Sequence, residues 1–256
     1  MLSATQIIKF TGLKNINRHI LIEYCQHELL DSIFKQNESE KFSFMGGTAV
    51  RIIYGGERFS EDLDFDTKEV DHFDKLLTNV IKDMESKGFV TEFRFVYKNV
   101  YHCYIKFPEL LYDLGLSRHK GEKLLVKVDV SETDNFTANN FLLNNYGVFR
   151  NISVTAPEII LSQKLLTFIE RNRTKGRDLY DIIWLWGMTK PNENYLKVIS
   201  GKSLIEMLLI IDNYLTTLDL KSMQQEIDIL LINPNKTEYS LAFPQFIKQK
   251  ISEQKK

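Results

Sequence analysis

The sequence predicts an α+β fold: an amino-terminal α/β half built on a mixed sheet, followed by a helical carboxy-terminal half. Two observations predict the first half. Residues 42–66 read as strand, Gly-Gly turn, helix and strand, and β-branched or aromatic residues recur from Phe89 to Phe107 and again over Leu124–Val130. One observation predicts the second half: after Val154, apolar residues recur only at helical spacing. The boundary carries no Pro/Gly-rich spacer. A domain of residues 1–154 and a helical domain of residues 155–256 are therefore expected to pack together, the second closing a cleft over the first.

The elements follow in order. Residues 16–35 place Ile20, Leu21, Tyr24, Leu29, Leu30, Ile33 and Phe34 at helical spacing. Phe42–Met45 reads as a short strand feeding Gly46-Gly47. Thr48–Tyr54 reads as a turn or two of helix that Gly55-Gly56 ends. Asp62–Phe65 is the next strand. Asp71–Lys87 is helical, with Phe73, Leu76, Leu77, Val80, Ile81 and Met84 on one face and Gly88 as its stop. Phe89–Phe107 suggests two strands turned at Lys98-Asn99. In the strand Leu124–Val130, Leu124, Val126, Val128 and Val130 share one face, leaving Leu125, Lys127 and Asp129 on the other. Thr155-Ala156-Pro157-Glu158 fits a capping box, with the proline tolerated in the first turn. Helices are expected near 157–172, 177–187, 203–217 and 220–232, with Asn233-Pro234-Asn235 as a break.

Bulk properties narrow the function. At 256 residues, 43% hydrophobic and 26% charged, the chain has the composition of an ordinary globular protein with a sizeable core. Formal net charge is −1, so any basic surface for nucleic acid must be local. Cys25 and Cys103 are isolated, which argues against a zinc cluster or a disulfide framework and for two reduced thiols. Lys9, Lys14, Arg18 and Glu23 interrupt the first stretch, so no signal peptide is read there, and no apolar run reaches the ~18 residues of a membrane span. A soluble, cytoplasmic protein is expected.

The chemistry concentrates in residues 45–66. Glycines at a helix start let backbone N–H groups approach a phosphate closely, where the helix dipole also favours negative charge. On a strand, Asp62 and Asp64 point to one face while Leu63 and Phe65 point to the other. Neighbouring carboxylates repel unless a cation lies between them, and Mg²⁺ takes carboxylate oxygens together with nucleotide phosphates. Gly-Gly or Asp-x-Asp alone is common; their succession at this spacing points to metal-bound nucleoside triphosphate. A third carboxylate is then required, to complete a two-metal site or to take a proton. Asp129 is the first candidate, with Glu132 or Asp134 as substitutes if the strand ends earlier. Asp66 is read as a solvated strand-end acid.

Gly46-Gly47-Thr48, Arg58-Phe59-Ser60-Glu61-Asp62-Leu63-Asp64-Phe65 and Arg177-Asp178-Leu179-Tyr180-Asp181 together resemble the AbiEii/AbiGii family. These are toxin nucleotidyltransferases of the DNA polymerase β-like superfamily, found in toxin–antitoxin and phage-defence loci. The resemblance spans about Phe42 to Trp186. It implies a polymerase β-like mixed sheet with flanking helices, and a phosphate cradle of Gly46, Gly47 and Thr48. It implies metal ligands at Asp62, Asp64 and Asp129, holding two Mg²⁺ ions that Mn²⁺ can replace. It also implies catalytic roles for Lys164 and Asp178 and a nucleotide contact for Arg177.

The residues agree in part. Between Ile159 and Arg177 five cations, Lys164, Arg171, Arg173, Lys175 and Arg177, stand against one acid, Glu170, and a lysine there can neutralise charge building on a leaving phosphate. Lys164 and Arg171 fall on one helix face. Asp181 is read as a cap or a partner of Arg177, and Tyr180, Trp184 and Trp186 as core rather than as base-stacking groups. The expected activity is transfer of a nucleoside monophosphate from an NTP to an acceptor. By resemblance the acceptor is a tRNA 3′ end, and the protein is a toxin with a cognate antitoxin partner. One rival is a small-molecule nucleotidyltransferase of the aminoglycoside type. Its acceptor site would be acidic, which the basic stretch 159–177 and Arg118, His119, Lys120 and Lys123 oppose. The other is a non-catalytic nucleotide-binding module, which the three acids oppose.

Overall fold

The computed structural model describes residues 1–70, 73–98, 100–171, 173–233 and 238–255. Asp71, Asn99, Pro234 and Asn235, invoked above in a helix start, a strand turn and a helix break, lie outside them. The chain forms two compact units, Met1–Ala49 with Phe59–Thr155, and Val50–Arg58 with Ala156–Lys256. Residues 50–58, assigned from the sequence to the first domain, thus group with the second unit.

The first unit is a seven-stranded mixed sheet with helices. Its elements are α1 (Ala4–Thr11), α2 (Arg18–Phe34), β1 (Phe42–Met45), α3 (Gly46–Ile52, divided between the units), β2 (Asp62–Thr67) and α4 (Phe73–Ser86). Then come β3 (Glu92–Lys98), β4 (Val100–Phe107), α5 (Leu110–Asp113), β5 (Leu124–Glu132), β6 (Ala138–Asn145) and β7 (Val148–Thr155). Strand order is β3-β4-β5-β2-β1-β7-β6, with β2 parallel to β5, β1 parallel to β7 and the other neighbours antiparallel.

Alternation divides the faces of the central strands. Leu63, Phe65, Val126, Val128 and Val130 are buried on one face, which α2 and α4 cover: Phe34 meets Phe65, and Phe73 meets Phe42 and Tyr101. The apolar stripe expected on α4 is fully buried. The side chains of Asp62, Asp64, Lys127 and Asp129 therefore lie on the other face.

Two local readings change. Asp66 is 3% exposed, because β2 runs on to Thr67 and Asp66 sits between Ser43 of β1 and Ser131 of β5. The capping box at Thr155 does not form. Helix α6 (Pro157–Glu170) starts from Ala156 without a side-chain cap, and the Thr155 hydroxyl stays in the sheet, 2.8 Å from that of Ser43. The β6–β7 hairpin also goes beyond the sequence reading. Its turn places Tyr146 at φ 51° and Gly147 at φ 80°. Tyrosine rarely signals such a turn; here its ring is buried against Tyr24, Phe10 and His27.

The second unit is helical: α6, α7 (Gly176–Trp186), α8 (Glu193–Ser200), α9 (Leu204–Leu215), α10 (Leu220–Asp228) and α11 (Tyr239–Gln254). The segment 50–58 is bound to it by a β-bridge from Arg58 to Leu231 and a hydrogen bond from Ile232 N–H to Glu57 C=O of 2.9 Å. Tyr180, Ile227 and Leu231 form one core cluster, against which Trp184 and Tyr239 pack. Tyr180 and Trp184 of α7 thus serve packing. Among the described residues no helix is long and apolar enough to cross a membrane, and Cys25 and Cys103 are free, buried thiols.

Candidate active site

Two constellations hold the residues singled out by the sequence, one in each unit. In the first unit, β1 delivers the chain to Gly46, whose φ of 78° lies in the left-handed region. A side chain at that position would run into the carboxylate of Asp64. Glycine is needed both for the backbone turn and for the space that the acid occupies. Gly47 follows in α3. Thr48 is buried and donates its hydroxyl to the backbone C=O of Asp62, tying α3 to the start of β2.

Register brings the acids together. Asp64 stands opposite Asp129 across the β2–β5 pair, and Asp62 stands opposite Lys127. Strand β5 extends through Glu132, which alternation places with Val128 and Val130, and Asp134 lies beyond the strand. Asp129 is thus the acid of the three that shares the face of Asp62 and Asp64. Its two oxygens are held by His102 Nδ1 at 2.7 Å and Lys127 Nζ at 2.6 Å. Partial burial opposes charge on Lys127, but its hydrogen bond to Asp129 and the charges of Asp129 and Asp62 raise its pKa. Lys127 is therefore a fixed cation between the two acids. Sequence reasoning placed Lys127 on this face without a role and missed His102, which only the β4–β5 register brings to Asp129.

Among the described residues no group of three or more His, Cys, Asp or Glu side chains is arranged to hold a metal ion. The donor chemistry of Asp62 and Asp64 does suit a hard divalent cation, which takes one or two carboxylates and fills its other positions from water and substrate phosphates. The glycine-only space at position 46 is what leaves room for the Asp64 carboxylate beside the start of α3.

In the second unit, Lys164 of α6 reaches Asp181 of α7 at 2.7 Å and Asp178 at 3.8 Å. Arg58 makes a bidentate pair with Asp181, with Nε–Oδ1 and Nη2–Oδ2 both 2.6 Å. Arg171 donates to Asp178 at 2.7 Å, as does the Lys175 N–H at 3.4 Å. Arg58, Asp178 and Asp181 are each 1% exposed or less. Burial pushes the Asp181 carboxyl up, but the charges and hydrogen bonds of Arg58 and Lys164 outweigh it and hold it below the usual range. Lys164, Arg58 and Arg171 gather around the buried carboxylates of Asp178 and Asp181. Asp181 pairs with Arg58 and Lys164, not with Arg177. Arg177 is half-buried and forms no ion pair among the described residues, while Arg173 pairs with Glu226 at 3.3 Å.

The family model described as "Nucleotidyl transferase AbiEii toxin, Type IV TA system" matches residues 28–207. A crystal structure of JHP933 from Helicobacter pylori is similar over 94% of this chain and 96% of its own, with 18% identity and a TM-score of 0.54. A candidate nucleotidyltransferase of H. pylori is similar over 93% of this chain and 98% of its own, with 19% identity and a TM-score of 0.58. At these identities the likeness is one of fold. No curated protein matches the sequence.

Proposed function

We propose that the chain, which belongs to the AbiEii family of nucleotidyl transferase toxins of type IV toxin–antitoxin systems, transfers a nucleoside monophosphate from an NTP to the 3′ hydroxyl of RNA. A tRNA 3′ end is the leading acceptor, and a cognate antitoxin the expected partner. The observation that carries the reaction is the sheet face on which Asp62 and Asp64 lie beside Gly46, with Asp129 in register with Asp64.

In this reading Asp62 and Asp64 hold Mg²⁺ or Mn²⁺, which when bound supplies charge stabilisation for the phosphates. The backbone N–H groups of Gly46, Gly47 and Thr48 cradle the triphosphate. Lys164 and Arg177 supply further positive charge for it, and Asp178 positions Lys164 and Arg171. The acceptor hydroxyl oxygen attacks the α-phosphorus, the bond to the β-phosphate oxygen breaks, and pyrophosphate leaves. Asp129, oriented by His102 and Lys127, takes the hydroxyl proton.

The test is incubation of the purified protein with each α-labelled NTP, Mg²⁺ and total RNA. Label should enter RNA with at least one nucleotide, and a chelator should stop it. Labelling of a small cationic molecule in place of RNA would move the assignment to small-molecule transfer.

A further inference from the structure

The face that carries the acids continues across the sheet toward its β3 edge. Register aligns two rows there. One runs Arg94, Tyr104, Lys127 and Asp62 across β3, β4, β5 and β2; the next runs Val96, His102, Asp129 and Asp64. On β4 the alternate residues Cys103 and Ile105 are buried with the core, so Tyr104 shares the face of the acids. Its ring has Lys127 Nζ 5.9 Å from the centroid. Arg94 is exposed and has no ion-pair partner among the described residues. About 14 Å, three inter-strand steps, separates its strand from that of Asp62.

We propose that Arg94, Tyr104 and Lys127 form the platform on which a single-stranded nucleic-acid 3′ end is laid so that its hydroxyl reaches Asp129. The proposal rests on the reading of the chain as an RNA-directed transferase and names the surface that reading leaves open. Three features support it. An aromatic ring between two cations matches a base flanked by phosphates, and base stacking tolerates any sequence. The cations would repel a small cationic acceptor and attract a polyanion. The row is also continuous with the chemistry, because Lys127 bonds Asp129 directly.

The experiment measures binding of a short 5′-fluorescein single-stranded RNA by anisotropy, and transfer to the same RNA, with NTP affinity measured in parallel. Tyr104→Ala should raise both Kd and KM for RNA about tenfold, with NTP affinity retained, and Tyr104→Phe should restore most of the loss. Arg94→Ala, an exposed change that spares the core, should weaken RNA binding and reduce its salt dependence by about one released counterion. If wild-type protein labels the RNA while Tyr104→Ala and Arg94→Ala bind it as tightly as wild type, the platform is refuted and the RNA-transfer reading stands. If wild-type protein neither binds nor labels RNA but labels another acceptor, both fall.

Discussion

Gly46 shows how one residue without a side chain positions another residue's carboxylate. Alanine at this position would be strained by φ 78° and would displace the Asp64 side chain. Gly46→Ala should cost about 1–2 kcal/mol of stability, measurable by urea denaturation, and should abolish nucleotidyl transfer even where the protein remains folded. A folded Gly46→Ala enzyme at wild-type rate would mean that the Asp64 carboxylate can leave its place without consequence. Lys164 is equally exposed to test. Lys164→Ala should weaken NTP binding at least tenfold, as expected for one lost charge-assisted phosphate contact of about 1.5–3 kcal/mol. Because Lys164 also compensates Asp181, the variant should be less stable as well. Unchanged NTP affinity would leave Lys164 a purely structural cation.

At the scale of elements, α7 is anchored by two contacts that sequence patterns do not announce. Gly176, its first residue, lies against the backbone C=O of Met223 on α10, and a Cβ there would overlap that oxygen. Gly176→Ala should therefore part the α7–α10 contact and cost about 1–3 kcal/mol. Asp181 is the second anchor. Its removal leaves Arg58 buried without its bidentate partner, so Asp181→Asn should destabilise by about 3–5 kcal/mol. The same carboxyl sets a pH dependence. Its pKa is held below the ordinary Asp value of about 3.9, so its stabilisation is fully present above that value and fades as pH falls through the folded-state value. Chemical denaturation against pH should show wild-type stability dropping below about pH 4, with a shallower acid limb in Asp181→Asn. The limb should not vanish. Asp31 and Asp83, which burial pushes up, are nonetheless held low by the Lys87 cluster with Arg150 and Lys35.

Across the whole molecule, legibility followed the range of the interactions. Strands β1 and β5, helices α2 and α4, and the acids on one strand face were all readable, because period 2 and period 3.6 are local properties of a chain. The β6–β7 hairpin was hidden by a tyrosine at positive φ, and the pairing of Arg58 with Asp181 by its long separation in sequence. His102 had no local signal either; a strand register was needed to bring it to Asp129. Family membership adds the biological scale: expression without the antitoxin should arrest growth, and Asp64→Asn should relieve the arrest. Harmless expression of an enzyme active on RNA would count against the toxin role. The proposed reaction depends on the Asp62/Asp64 face, and the most direct measurement of that dependence is the rate of labelled nucleotide transfer by Asp64→Asn beside wild type, with far-UV circular dichroism to confirm a matched fold. Loss of several kcal/mol of transition-state stabilisation predicts a fall of roughly a thousandfold or more, whereas a folded Asp64→Asn protein transferring at close to the wild-type rate would contradict it.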